Sequence, residues 1–358
     1  MLGKSGKITL KDLSAHTGVS ATVISHILND RLGHVRASVA TQQRVLDAAK
    51  EFGYVPRLQA RSMATKRSYS IGVVCFLRPG PQDPYSASYF ANALCGVEEV
   101  CKEANHHCIF VASEYGDPAD FVEPRLMKDG SVDGVVLIGL SSARVAQRLL
   151  GMGLPCIQVG SNIDPSIGID SVSGDIDSSI ETVSRRLVEL GHRRVTFALP
   201  AGPGSKRHLD RFRSLGKRIA NLEPTAVMTP VPVTTPEDGR AVARAALVMP
   251  PDQAPTAFIC SIRPASGLVA EMAAAGRTFP KDYSLVVLAS EEVDPVLFGW
   301  DQREVATISI PTHEAARQAA LVLFDRLNVG GVLLPRPSGL SVACTFREGQ
   351  GIGPSPGP

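Results

Sequence analysis

Seven cysteines are spread over the 358 residues with no C-x-x-C pair among them, an odd number that argues against a disulfide framework and a zinc ribbon alike. Cys75, Cys95, Cys101, Cys108, Cys156, Cys260 and Cys344 mostly lie within apolar runs and read as buried, reduced thiols. Cys101, His106, His107 and Cys108 gather ligating residue types, but their spacing fits no zinc pattern, so buried cysteine beside surface histidine is the favoured reading. The N-terminus lacks the apolar core of a signal peptide, and no run approaches the roughly 18 apolar residues that spanning a bilayer needs. These absences predict a soluble, cytoplasmic chain with no membrane partner. Catalytic apparatus is missing too. AGPGSKR at 201–207 lacks the G-x-x-x-x-G-K-[ST] spacing of a phosphate loop, no second histidine follows His313-Glu314 at zinc-protease spacing, and Gly72 and Gly139 open no dinucleotide fingerprint. The sequence predicts no enzyme, no cofactor and no metal.

What is present begins at the N-terminus. Residues 8–30, ITLKDLSAHTGVSATVISHILND, read as two short helices separated by Gly18. Thr9 caps the first, with Asp12 three residues on and Leu10, Leu13 and Ala15 as its apolar face. Gly18 tolerates the left-handed turn that a side chain disfavours. Ser20 opens the second helix, in which Val23, Ile24, Ile27 and Leu28 form the buried stripe and Ala21, Thr22, Ser25, His26 and Asn29 face outward. Short outward residues let a helix sink into a major groove, so double-stranded DNA is the first partner to consider. Charge agrees: residues 1–70 hold 11 of the 37 Lys/Arg and 4 of the 35 Asp/Glu, a net +7 against −5 for the remainder. Such asymmetry suits phosphate binding through counterion release.

A third helix over 38–52, with Val39, Val45, Leu46, Ala49 and Phe52 at helical spacing, completes an all-α headpiece over 1–56. Residues 57–68 are basic with too few apolar points to fold alone, a linker that becomes helical when held. From Ile71 strands and helices alternate: IGVVCF, a helix near 89–104, HCIFVA, a weak helix near 119–129, VDGVVLIG, a helix near 143–151 and PCIQVG. The pattern restarts with a helix at 175–190, RVTFALP, a helix near 206–220, AVMTPVPV, a helix near 236–248, TAFICS, a helix near 264–275 and SLVVLAS. Near-continuous apolar strands between helices predict doubly wound parallel sheets in an α/β core over 69–348, with two lobes and a cleft at the carboxyl ends of their strands. The expected first lobe is 69–162 with 300–328, the second 163–299 with 329–348, and the Gly/Pro-rich residues 349–358 form a disordered tail.

These residues resemble the LacI-type transcription regulators, the lactose-repressor/galactose-repressor family, over 8–348. The resemblance rests on ITLKDL, GVSATVISHILN, TQQRVLDAAKEFGYVPRLQARSM, SIGVV, GVEEV, VDGVVLIG, VELGHRRVTF, FPKDYSLVVLAS, VATISIP and the terminal FRE. It implies a homodimer that places its second helix in the major groove of a palindromic operator, a hinge helix in the minor groove, and a periplasmic-binding-protein-like core. In that core a small effector adjusts the hinge and so the operator affinity of what is implied to be a repressor. The base-reading positions fall on Ala21, Thr22 and His26, where an arginine is commoner at the third. Thr9, Ser20, Ser25, Asn29 and Tyr54 match phosphate-contacting positions. Met63 stands where a leucine wedge usually enters the minor groove, either as such a wedge or as a hinge packing residue, with Arg57, Arg61, Lys66 and Arg67 alongside. The segment 30–37 is longer than usual, and Arg31, His34 and Arg36 there are either backbone contacts or a solvated loop.

The implied effector cleft departs from the family. Tyr89 and Phe90 match a paired aromatic position, read either as a ligand stack or as helix-start core, and Arg78 precedes them in a long loop. The family's ligand arginine aligns with His208 beside Arg207, its Asn-Asp pair becomes Ile262-Arg263, its aspartate becomes Ser290 followed by Glu291, and its late glutamine becomes Ile310. Groups that grip sugar hydroxyls are largely replaced and a cation is gained. An anionic ligand would suit Arg78, Arg207 and Arg263, leaving an anionic or sugar-derived effector in view. Two rivals stay open: an effector-independent regulator with a decayed cleft, and a solute-binding component of a transport system.

Overall fold

A computed structural model of the chain describes residues 8–28, 37–55, 62, 65, 67–77, 84–114, 117, 119–140, 142–160, 165–200, 213, 216–217, 219–221, 223–290, 300, 304–327 and 340–356. The chain divides into two compact units, Met1–Tyr69 and Ser70–Pro358.

The first unit holds α1 (Leu10–Thr17), α2 (Ala21–Leu28) and α3 (Val39–Glu51). Thr9 and Asp12 form a reciprocal capping box: the Asp12 amide donates to Thr9 Oγ1 at 3.4 Å, and the Thr9 amide donates to Asp12 Oδ2 at 2.8 Å. Gly18, at φ 67°, ends α1 in the left-handed region and returns its amide to Ser14 O at 3.0 Å. Leu13, Val19, Ile24, Ile27, Val45, Ala48 and Ala49 close a small core on which Phe52 and Tyr54 pack. Three expected apolar positions differ. Ala15, Val39 and Leu46 are exposed, while Thr17 is buried because its hydroxyl donates to Leu13 O at 2.7 Å and so carries no unsatisfied polar group inward. In the linker, Ser62 and Thr65 are helical; Arg57, Arg61, Met63 and Lys66 lie outside the described residues.

The second unit begins with β1 (Ser70–Leu77), α4 (Pro84–Glu103), β2 (His107–Glu114), β3 (Gly134–Ile138), α5 (Ala143–Leu150), β4 (Cys156–Val159) and β5 (Ser171–Asp175). It continues through α6 (Ile176–Glu189), β6 (Arg194–Pro200), β7 (Val227–Val233), α7 (Pro236–Val248), β8 (Ala257–Ser261), α8 (Ile262–Ala274) and β9 (Ser284–Ser290). Then come β10 (Ala306–Ile310), α9 (Thr312–Arg326), β11 (Leu340–Ala343) and β12 (Thr345–Arg347). Two six-stranded sheets result, ordered β11-β5-β4-β3-β1-β2 and β12-β10-β9-β8-β6-β7. Among the described residues every pairing is parallel except β10 with β12. Helices cover both faces of each: α4 and α9 against α5 in the first lobe, α6 against α7 and α8 in the second.

Several expectations are corrected. The strand of VATISIP, β10, completes the second sheet rather than the first, pairing with β9, and only the following helix α9 returns to the first lobe. The first lobe also runs past 162 to include β5 and later β11, so the chain passes between lobes at 175–176, 310–312 and 343–345. Residues 119–129 form a short 3-10 turn at Arg125–Met127 in place of a helix. The C-terminal segment is ordered through 356. Leu285 N donates to Gly351 O at 2.9 Å, Ser355 N donates to Leu190 O at 2.8 Å, and Ile352 is buried in the second-lobe core. Glycines at 351 and 353 permit that approach, since a Cβ on Gly351 would sit 2.4 Å from the Ala306 amide.

Candidate functional site

Two regions hold the expected site residues, one in each unit. In the first unit, Thr9 and Ser20 occupy the start of α1 and α2. Ser20 caps α2, its Oγ accepting from the Val23 amide at 3.4 Å and its carbonyl accepting from the Ile24 amide at 3.0 Å. The buried stripe of α2 is Ile24 and Ile27, so its opposite face turns outward. That face carries exposed Thr22 with partly exposed Ala21, Ser25 and His26. None is longer than His26, which lets the helix backbone come close to an opposing surface. Tyr54 follows α3, its amide donating to Ala49 O at 2.8 Å and its ring against the headpiece core. Exposed Lys11, Arg44 and Lys50 add cations on α1 and α3. Asn29 and the segment 30–36 with Arg31, His34 and Arg36 lie outside the described residues.

In the second unit, Tyr89 and Phe90 lie on α4 with their rings edge-to-face, 5.5 Å between centroids. Gly139 and Gly160, just beyond β3 and β4, make room for them. A Cβ on Gly139 would sit 3.4 Å from the Phe90 ring, and one on Gly160 would sit 3.7 Å from Tyr89 Oη. Burial pushes the Tyr89 hydroxyl up to about 12, with Cys75 adding to the shift, so it remains a proton donor at neutral pH. Both aromatics also pack on the first-lobe core, so the stacking and core readings hold together. The same strand ends place Gln158, 1% exposed, with its amide donating to Leu140 O at 3.0 Å.

The second lobe meets this wall through β9, which contacts α4. Ser290 ends β9 fully buried, its hydroxyl 2.5 Å from Thr312 Oγ1 at the start of α9. It therefore ties the second sheet to the returning helix of the first lobe. Nothing local in the sequence marks Thr312, because a threonine at a lobe crossing has no signature among its chain neighbours. Arg263 lies half-buried in the first turn of α8, which contains no acidic residue. The structure thus brings Tyr89 and Phe90 together at one wall, with Ser290 on the strand α4 touches. Arg78, Arg207, His208 and Glu291 lie outside the described residues. A separate cavity of about 400 Å³ between β7 and α7 includes none of the expected ligand residues. Among the described residues no cluster of three ligating side chains could hold a metal, and no helix is long and apolar enough to cross a membrane. Six of the thiols are buried or half-buried, whereas Cys95, expected with them, is exposed.

Residues 184–347 match the periplasmic binding protein-like domain family. The chain is similar to the HTH-type transcriptional regulator AglR of Rhizobium meliloti (strain 1021), 28% identical over 91% of this chain and 88% of that one. Among solved structures it is similar to a CelR–cellobiose complex, a transcriptional regulator, at TM-score 0.60 and 22% identity over 96% of this chain and 99% of that one. It is also similar to the lac repressor dimer bound to operator and the anti-inducer ONPF, at TM-score 0.72 and 16% identity over 97% and 100% of the two chains.

Proposed function

Because the chain is of the LacI type in sequence and fold, we propose that it is a sequence-specific DNA-binding transcription regulator, acting as a repressor whose operator affinity a small molecule adjusts. The observation that carries this reading is the outward face of α2, a capped helix offering Thr22, Ala21, Ser25 and His26 from a headpiece with its own core. Ala21, Thr22 and His26 read base edges of a palindromic operator, while Thr9, Ser20, Ser25, Asn29 and Tyr54 hold the phosphate backbone. Arg57 and Arg61 add charge at the hinge, and Met63 wedges the minor groove. The protein works as a cytoplasmic homodimer and performs no catalysis.

The effector binds between the lobes, against Tyr89 and Phe90 on one side and Arg263 on the other, while buried Ser290 fixes the end of β9 through Thr312; Arg78, Arg207, His208 and Glu291 are the further contacts that the sequence suggests. Arg263 near the start of α8 favours a carboxylate or phosphate, since a helix N-terminus and a guanidinium both attract negative charge. An anionic or sugar-derived ligand is the class proposed. The solute-binding alternative accounts for residues 184–347 but leaves the headpiece without a role.

The test is selection of bound fragments from random duplex DNA, followed by binding assays on the selected site. His26→Ala should change which bases are tolerated, whereas Arg61→Ala should weaken binding to every sequence alike and lower the salt dependence. Equal, sequence-independent losses for both variants would contradict His26 as a reader.

A further inference from the structure

The cavity of about 400 Å³ between β7 and α7 lies at the edge of the second sheet and includes none of Tyr89, Phe90, Arg263 and Ser290. Strand alternation decides what lines it. Val195 and Phe197 of β6 pack on the α6 side of the sheet, so Arg194 and Thr196 face α7. The parallel register sets Val227 beside Arg194 and Thr229 beside Thr196 on that same face. Opposite them α7 presents Ala241, Ala245 and Ala246, whose short side chains leave the gap unfilled. Val227 and Met249 line it while remaining 55% and 44% exposed, so apolar surface stays in water at the mouth.

Two donors stand at one end of this space. Thr196 is 7% exposed, and its hydroxyl has no hydrogen-bond partner among the described residues, although a hydroxyl at that depth is ordinarily bonded. Half-buried Arg194 uses only Nε, which donates to Ala254 O at 3.1 Å, and it forms no ion pair among the described residues. Two residues apart on one strand face, about 7 Å between Cα atoms, the long guanidinium arm and the short hydroxyl can meet on one carboxylate. The other end is different. There the Asp238 carboxylate is already engaged, accepting from the Thr234 and Thr235 amides at 2.7 and 2.8 Å, and it repels a second negative charge.

We propose that this cavity is a second ligand site, separate from the interlobe wall, and that it takes a medium-chain carboxylate. The head accepts from Arg194 and Thr196, and the aliphatic body lies between the valines of β7 and the alanines of α7. The chemistry selects this class. One guanidinium balances a single negative charge, whereas the rest of the wall is mostly aliphatic and offers a second charge no partner. A cavity of about 150 Å³ holds benzene, so this one takes a body of roughly ten or more non-hydrogen atoms. Binding would cover Val227 and Met249 and give the Thr196 hydroxyl the partner it lacks.

The test is calorimetric titration of the full-length protein with octanoate and with uncharged octanamide. Wild type should bind a single octanoate per chain and bind octanamide more weakly. Arg194→Gln should weaken octanoate binding about tenfold or more and remove its advantage over octanamide. Thr196→Val, which keeps the shape and drops the hydroxyl, should weaken it severalfold. Ala245→Phe, at an exposed position of α7 that lines the cavity, should fill the space and abolish binding while the thermal midpoint stays near wild type. Tyr89→Ala, at the interlobe wall, should leave octanoate affinity unchanged. The proposal is overturned if wild type takes up no octanoate, or if Ala245→Phe binds it as tightly as wild type, even where that variant changes the oligomeric state. Loss of binding in Tyr89→Ala with retention in Ala245→Phe would place the ligand in the interlobe cleft and overturn it equally.

Discussion

His192 shows how much one side chain can fasten. It is fully buried, with Nδ1 2.8 Å from Thr256 Oγ1 and Nε2 2.9 Å from Ser284 Oγ and 3.0 Å from Gly353 O. Ser284 Oγ in turn accepts from the Gly353 amide at 3.0 Å, so the C-terminal segment is pinned through this network to the start of β9. Burial chiefly holds the imidazole below its ordinary 6.5, and the neighbouring Arg193 cation adds to that depression. The unfolded chain then binds a proton that the folded chain refuses. Stability is full above the unfolded value near 6.5 and falls as pH drops from there towards the lower folded value. Urea melts of the wild type should therefore lose stability as pH falls below 6.5, and His192→Asn should flatten that part of the profile. A slope unchanged in the variant would remove His192 as its source.

Among the elements, α7 and α8 approach through two glycines. A Cβ on Gly239 would sit 1.8 Å from Pro264 O, and one on Gly267 would sit 1.7 Å from Pro236 O. Backbone, not a flexible side chain, stands in the way, so Gly239→Ala or Gly267→Ala must part the helices. Overpacking of this kind costs about 3 kcal/mol or more, which should appear as a lowered denaturation midpoint for either variant. A midpoint within experimental error of wild type would show that the helices can separate freely. The sequence displays these helices through their apolar spacing, but it does not display the glycine contact, because a partner across a helix pair has no local signature. The same reason explains the strands. β1, β3, β8 and β9 are near-continuous apolar runs and stand out at once. β5, SVSGD, buries only alternate residues and β12 is three residues long, so neither offers a run to see. β10 is plain as a strand, yet nothing in ATISI says which of two parallel sheets it joins. At the candidate interface the caps Thr9 and Ser20 and the turn at Gly18 were readable because each acts on its own neighbours. Ser290 and Thr312 meet across 22 residues and two lobes, which local pattern does not encode.

At the scale of the whole molecule, the second unit couples its lobes through the crossings at 175–176, 310–312 and 343–345. A ligand held between the lobes shifts their arrangement only by its differential affinity for the two states, and DNA must reciprocally alter ligand affinity by the same factor. A screen of carboxylate- and phosphate-bearing metabolites should find one that, at about 100 times its dissociation constant, adds roughly 2.7 kcal/mol to stability. Saturating operator should then change that metabolite's affinity, and a hit whose affinity DNA leaves untouched would break the proposed linkage.

The central claim is that the first unit grips DNA and the second tunes that grip. Its most direct test is the fluorescence anisotropy of a labelled, selected operator titrated with the intact chain and with residues 70–358 alone, the second compact unit. The account predicts tight, salt-sensitive binding by the intact chain and a loss of about a thousandfold or more for the second unit. Comparable affinity for the two proteins would contradict it.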